Sequence, residues 1–127
     1  MEPVFRVLVV DDEETARWGL ARILEREGFQ ADQAGDGREA ARMVAATRYD
    51  LIITDLRMPG GGGLEFIQGI QGCYRGAVIF VTAYGSPETY LMALDYDAHE
   101  YLNKPVDLDA LLAMVREIAA RNRPAGD

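Results

Sequence analysis

Short runs of consecutive apolar residues alternate with amphipathic stretches along this chain, and that alternation limits the fold more than any other feature. Residues 5–10 form a β-rich run. Residues 13–27 then place Ala16, Leu20, Ile23 and Leu24 at helical spacing, and Gly28 ends the helix. A weaker strand covers 29–34. Asp36 and Glu39 stand at capping-box spacing before a helix running to about Thr47. Leu51, Ile52 and Ile53 lead a buried-type strand that ends at Asp55. After the loop 59–63, residues 64–71 read as a short helix and 77–81 as an apolar strand. Ser86 followed by Pro87 starts another helix, because proline fits the first helical position. A strand near 100–102 precedes a last helix from about Asp107, with Leu108, Leu111, Leu112, Val115, Ile118 and Ala119 on one face. Five strand candidates, each followed by a helix and several of them continuous apolar runs, predict an α/β fold. Its parallel sheet is covered on both faces, a doubly wound three-layer α/β/α arrangement.

An open sheet of this kind binds ligands outside the carboxyl ends of its strands. Four strands end in residues able to do chemistry: Asp11-Asp12, Asp55, Thr82 and Lys104-Pro105. Three carboxylates on one edge repel one another, so one protonates or a cation neutralises them. Hard oxygen ligands in an incomplete set suit Mg²⁺, with Mn²⁺ as a substitute. An Asp pair before a helix can instead cap it. The presence of Asp55 on a neighbouring strand end favours the metal reading. A carboxylate such as Asp55 can accept a phosphoryl group as an acyl phosphate. That transfer needs positioning and charge neutralisation, which Mg²⁺ and Lys104 can supply, while Thr82 can donate a hydrogen bond to a phosphoryl oxygen.

Composition narrows the partners. The 127 residues fit one domain, 1–127 with its core over about 4–121, and leave no effector domain within them. The net charge of −8 argues against direct binding to nucleic acid or an anionic membrane. Residues 1–6 lack the pattern of a signal peptide, and no apolar run is long enough to span a bilayer. The lone Cys73 permits no internal disulfide. A soluble, cytoplasmic protein is the expectation.

At the level of motifs the chain resembles the receiver domain of two-component response regulators. Asp11-Asp12-Glu13 resembles the family's acidic cluster, and Asp55-Leu56-Arg57-Met58-Pro59 with Gly63 its phosphoacceptor loop. Thr82-Ala83-Tyr84 resembles the switch-threonine segment, and Tyr101-Leu102-Asn103-Lys104-Pro105 the aromatic switch and lysine. The resemblance implies a flavodoxin-like (βα)5 fold with strand order 2-1-3-4-5. It implies a phosphoprotein with Asp55 as phosphoacceptor, and Asp12 as a direct metal ligand. Asp11 would hold the metal mainly through water, with Asp55 and the Arg57 carbonyl completing the set. Lys104 would contact the phosphoryl group, Thr82 and Tyr101 would report it, and the Lys104-Pro105 bond would be cis. The donor would be a phosphohistidine on a sensor histidine kinase or phosphotransfer protein. Such a chain is a switch that catalyses only its own phosphorylation and dephosphorylation.

Two departures from the family pattern touch no chemical group: Asp97-Ala98 where Gly-Ala is usual, and a glycine-rich run 60–63 that predicts a mobile loop. Trp18 falls off its helix stripe and reads as partly exposed. His99, the only histidine, reads as a strand-edge residue. Tyr90, Leu91, Met92, Ala93 and Leu94 cannot all face one core, so some suggest a partner surface on the fourth helix. That surface, with the fifth strand and fifth helix, is where switching is expected, and a phosphorylation-dependent homodimer is its simplest use. Two other readings compete. A phosphatase of the haloacid dehalogenase type also uses an aspartyl nucleophile with Mg²⁺. It wants two aspartates separated by one residue, where this chain has Asp11-Asp12-Glu13, and a cap domain. A pseudo-receiver lacks the phosphoacceptor, acidic pair or lysine, all present here.

Overall fold

The computed structural model describes residues 4–56, 58, 62–83, 91 and 100–121. Among them run β1 (Arg6–Val10), α1 (Glu14–Arg26), β2 (Gln30–Ala34), α2 (Gly37–Ala46) and β3 (Leu51–Asp55). They are followed by α3 (Gly63–Ile70), β4 (Ala77–Thr82), β5 (Glu100–Asn103) and a C-terminal helix (Leu108–Arg121). The strands form one parallel sheet in the order β2-β1-β3-β4-β5. The doubly wound reading and the strand order therefore both hold.

Burial explains why the strands differ in composition. The three inner strands are apolar along almost their whole length and nearly fully buried. The edge strand β2, Gln-Ala-Asp-Gln-Ala, is only partly covered, which is why its pattern is weak. Successive side chains leave a strand on opposite faces. Leu8, Val10, Ile52, Val78 and Phe80 thus pack with Ala40, Phe66, Ile67 and Ile70 from α2 and α3. Val7, Val9, Leu51, Ile53, Ile79 and Val81 pack with Leu24, Leu111, Leu112, Val115 and Ile118 from α1 and the C-terminal helix.

The helix ends follow local chemistry. Gly28 takes φ +94°. Around it the Gly28 N–H donates to the Glu25 carbonyl and the Phe29 N–H to the Leu24 carbonyl, the Schellman pattern. Asp36 caps α2 by accepting from the Glu39 N–H at 2.8 Å, as its spacing predicts. The return contact differs from a capping box: Glu39 reaches the N–H of Gly35 rather than that of Asp36.

Two side chains assigned to inward faces lie elsewhere. Ala16 is exposed, and the buried stripe of α1 is Leu20, Ala21 and Leu24, with half-buried Arg17 continuing it toward the helix start. Leu108, the first residue of its helix, is 43% exposed. Trp18 is exposed, with the Arg22 guanidinium 5.6 Å from its ring. The helix start at Ser86-Pro87, together with Tyr84, Asp97-Ala98 and His99, lies outside the described residues. No described helix is long and apolar enough to cross a membrane.

The amino edge of the sheet is tied by Asp50. Its carboxylate accepts from the Arg6 N–H, its own N–H donates to the Arg6 carbonyl, and its carbonyl accepts from Ala77. Nearby, the buried Tyr49 donates from its hydroxyl to Asp32 on β2 at 2.7 Å. Burial, then the hydrogen bond and charge of Asp32, push the Tyr49 pKa up to about 12. A raised folded-state value means that the neutral hydroxyl stabilises the fold up to the unfolded value of about 10. That contribution is lost as pH rises through about 12. Tyr49→Phe should cost about 1–2 kcal/mol at neutral pH, measured by urea unfolding. It should also remove a late tyrosinate transition from the absorbance titration at 295 nm.

Candidate functional site

The carboxyl edge of the sheet gathers the charged groups. The parallel register sets Val10 beside Thr54 and Asp55 beside Val81, so the ends of β1, β3 and β4 come out together. Asp11 and Asp12 follow β1, and Asp55 is the last residue of β3. One carboxylate oxygen from each of the three lies within 4.8 Å of the others. Asp55 is buried, Asp11 half-buried and Asp12 exposed, so the cluster opens to solvent on the Asp12 side.

Lys104 enters this cluster from the end of β5. Its Nζ lies 2.8 Å from Asp55 Oδ2 and 3.2 Å from Asp11 Oδ2. Its backbone N–H donates to the Thr82 carbonyl at 2.8 Å, which fixes the end of β5 to the end of β4. The Lys104–Pro105 peptide is cis, as the family resemblance implied. Burial of the ammonium works against its charge. The hydrogen bond it donates to Asp55 and the charges of Asp11 and Asp55 outweigh that, so its pKa is raised and it stays protonated.

Three carboxylates and one ammonium sum to −2, the charge that a divalent cation cancels. The donors are all oxygens, the type a hard cation takes. At Mg–O distances of about 2.1 Å, two ligands across one ion stand at most about 4.2 Å apart. The 4.8 Å spread therefore suits a site in which a small side-chain rotation, or a water on one carboxylate, completes the fit. The Arg57 carbonyl lies outside the described residues, as do Tyr90, Met92 and Leu94. Leu91, from the same apolar run, is helical and 60% exposed.

The capping alternative for the Asp pair does not describe this turn. Glu13 is the N-cap of α1 and makes no side-chain cap bond. Asp11 Oδ1 instead accepts from the Glu13 N–H at 2.9 Å, an Asx-type turn that leaves Oδ2 facing Lys104. Thr82 ends β4 fully buried, and Tyr101 lies half-buried on β5, paired with Phe80 in register and packed against the core. The two expected switch residues thus sit on adjacent strands, one at the site and one behind it. A cavity of about 740 Å³ lined by Arg48, Tyr74, Arg75 and Arg121 opens at the opposite, amino edge and takes no part in this cluster.

One residue of the site is not singled out by the sequence reading, and a second plays another part than the one expected of it. Arg17 binds the Asp11 carbonyl from the inward side of α1. The signal was present, since Arg17 stands three, four and seven positions before Leu20, Ala21 and Leu24. Gly63 was read with the glycine-rich run as a source of mobility. Instead it is buried against the end of β3, where an added Cβ would stand 2.1 Å from the Asp55 carbonyl oxygen. Its N–H donates to the Leu56 carbonyl at 2.9 Å. Gly63→Ala should therefore force the strand end or α3 to move. A loss of roughly 1–3 kcal/mol in urea unfolding is expected, with shifted NMR resonances at Asp55 and Leu56.

Comparison with known proteins agrees with this geometry. The family described as "Response regulator receiver domain" matches residues 7–116. The response regulator MprA of Mycobacterium tuberculosis is 38% identical over 120 residues, covering 94% of this chain and 52% of MprA. PilR of Pseudomonas aeruginosa is 36% identical over 123 residues, covering 96% of this chain and 28% of PilR. The chain thus spans about half the length of the MprA regulators it matches. Among solved structures, the Thermotoga maritima response regulator TrrA, in complex with Mg²⁺–BeF, is 35% identical with a TM-score of 0.80, covering 91% of this chain and 99% of TrrA. The Vibrio cholerae chemotaxis protein CheY4 gives 30% and 0.84, covering 91% and 99%. With the strand order, the carboxylate edge and these matches in agreement, the chain belongs to the receiver domains of two-component response regulators.

Proposed function

We propose that this receiver accepts a phosphoryl group on Asp55 from a phosphohistidine of a sensor kinase or phosphotransfer protein. The observation that carries the reading is Lys104 bridging Asp55 and Asp11 inside a three-carboxylate cluster. One Asp55 oxygen forms the new P–O bond as the P–N bond to the donor imidazole breaks, and that electron pair leaves with the imidazole. Asp11, Asp12, Asp55 and the Arg57 carbonyl would hold Mg²⁺, or Mn²⁺ in its place. The cation would neutralise charge on the phosphoryl oxygens. Lys104 keeps its proton and passes from the carboxylates to a phosphoryl oxygen as negative charge arrives there. Thr82 donates a hydrogen bond to another. Chemistry of this kind makes the chain a switch acting on itself rather than an enzyme acting on many substrates. A cytoplasmic location suits a phosphohistidine donor of this kind.

Incubation with acetyl phosphate and Mg²⁺ should add one phosphoryl group per chain, read by intact mass. Asp55→Asn should abolish the addition. Equal labelling of that variant would remove Asp55 as the nucleophile. Rapid phosphate release from many small phosphomonoesters would instead revive the phosphatase reading.

The output half of the proposal follows from Thr82 and Tyr101 on neighbouring strands. Movement of Thr82 toward a phosphorylated Asp55 opens space for Tyr101 to turn inward, shifting a population already present. The surface affected is that of the fourth helix, β5 and the C-terminal helix, on which Leu91 offers exposed apolar area. A second copy of the chain is the simplest partner. The longer relatives leave room for an output domain elsewhere in a full-length protein, so this segment need not touch DNA. Beryllofluoride with Mg²⁺ should raise the weight-average mass in sedimentation, and Leu91→Glu should prevent the rise. If the mimic binds with neither self-association nor a change around Tyr101, the coupling is wrong.

A further inference from the structure

Arg17 stands on the inward-facing side of α1, half-buried, where the helix otherwise shows Leu20, Ala21 and Leu24 to the core. A guanidinium in such a place costs desolvation unless its donors are used. Nη1 donates to the backbone carbonyl of Asp11 at 2.8 Å, and Nε donates to Gln33 Oε1 on β2 at 3.3 Å. The guanidinium lies against Gly35, where a Cβ would stand 3.4 Å from Nη1. Neither partner is a carboxylate, so this is not an ion pair placed for its own sake.

The carbonyl that Arg17 holds is the acceptor of the Asp11–Asp12 peptide. That peptide is planar, so fixing its oxygen fixes the plane in which the Asp12 N and Cα lie. The rest of Asp11 is tied as well. Its N–H donates to the Ala34 carbonyl, Oδ1 accepts from Glu13, and Oδ2 accepts from Lys104. Asp12 makes no hydrogen bond among the described residues and is exposed, yet its carboxylate converges on the cluster. Its direction is therefore set by the backbone that precedes it.

We infer that Arg17 is the positioning residue of the acidic pair, clamping the Asp11–Asp12 peptide so that Asp12 points at the cation site before any cation arrives. The inference rests on reading the cluster as a cation site. Its effect belongs to metal affinity rather than to the phosphoryl transfer itself. Residues that orient metal ligands without touching the metal commonly change affinity by roughly 10–100-fold. Arginine suits the task because its planar fork holds two acceptors in a fixed relative direction, which the freely turning ammonium of lysine does not impose.

The test compares wild type, Arg17→Met, Arg17→Lys and, as a lost-ligand control, Asp12→Ala. Isothermal titration gives the Mg²⁺ dissociation constant, and melting in EDTA gives stability without metal. Acetyl phosphate labelling is followed against Mg²⁺ concentration. Arg17→Met should bind Mg²⁺ roughly tenfold more weakly, and saturating Mg²⁺ should restore its labelling rate. Arg17→Lys should fall between, roughly threefold weaker. A residue that only held the fold together would lower the midpoint in EDTA, and added Mg²⁺ would not rescue the rate. Mg²⁺ affinity within about twofold of wild type in Arg17→Met overturns the inference, whatever its midpoint. If that variant does not fold, unchanged affinity in Arg17→Lys overturns it. Wild type that binds no Mg²⁺, or Asp12→Ala that binds it normally, overturns the cation site itself.

Discussion

Like charges held close together at the carboxyl edge of the sheet are the constraint around which this molecule is arranged. Two carboxylate charges 4.8 Å apart repel by roughly 3–4 kcal/mol at an effective dielectric of about 20. The two contacts of the Lys104 ammonium, at 2.8 and 3.2 Å, attract by roughly 5–6 kcal/mol each on the same scale. Lys104 therefore offsets the repulsion between Asp11 and Asp55 and still leaves the local charge at −2. A domain of this size is stable by only about 5–15 kcal/mol, so such a cluster survives only on a rigid support. The sheet provides it. The inner strands are apolar on both faces and packed between two helical layers, so their ends cannot drift apart to relieve the repulsion.

The support is most exacting around Asp55. Thr54 Oγ1 donates to the Asp55 carbonyl, Leu56 N–H donates to the Val81 carbonyl, and Gly63 packs against the same carbonyl with no room for a side chain. The backbone on either side of Asp55 is thus held by neighbours from β4 and α3. Only its side chain faces the carboxylate cluster and the lysine. The same end of β4 accepts from the Lys104 N–H through the Thr82 carbonyl. A displacement of Thr82 would therefore reach Lys104 and β5 through a single backbone hydrogen bond.

Much of this was legible in the sequence, and the parts that were not have definite causes. Apolar runs mark buried strands because both faces of β1, β3 and β4 are covered, and a carboxylate ending such a run is conspicuous. The edge strand β2 was harder, since Gln30, Asp32 and Gln33 are tolerated where one side meets solvent. Ala16 misled because alanine fits a helix anywhere, whereas Arg17 was overlooked because charge reads as exposure. Gly63 reads as flexibility in a glycine run, since a sequence cannot show a carbonyl 2.1 Å from an absent Cβ. Leu108 obeys the helical period but, as the first residue of its helix, stays exposed.

The cations of this chain divide by mechanics as well as by position. It carries twelve arginines and a single lysine, Lys104. Where a geometry must be held still, as at the Asp11–Asp12 peptide, a planar guanidinium with several donors keeps its direction once two acceptors are fixed. Inside the carboxylate cluster the requirement is the reverse. For the proposed phosphoryl transfer, the charge that pairs with Asp55 and Asp11 at rest would then have to follow new negative charge as it appears. A compact ammonium on a flexible four-carbon stem can turn its three protons toward whichever oxygens carry that charge. The one position where the chain uses lysine is thus the one where the proposed transfer would require a cation to change partners.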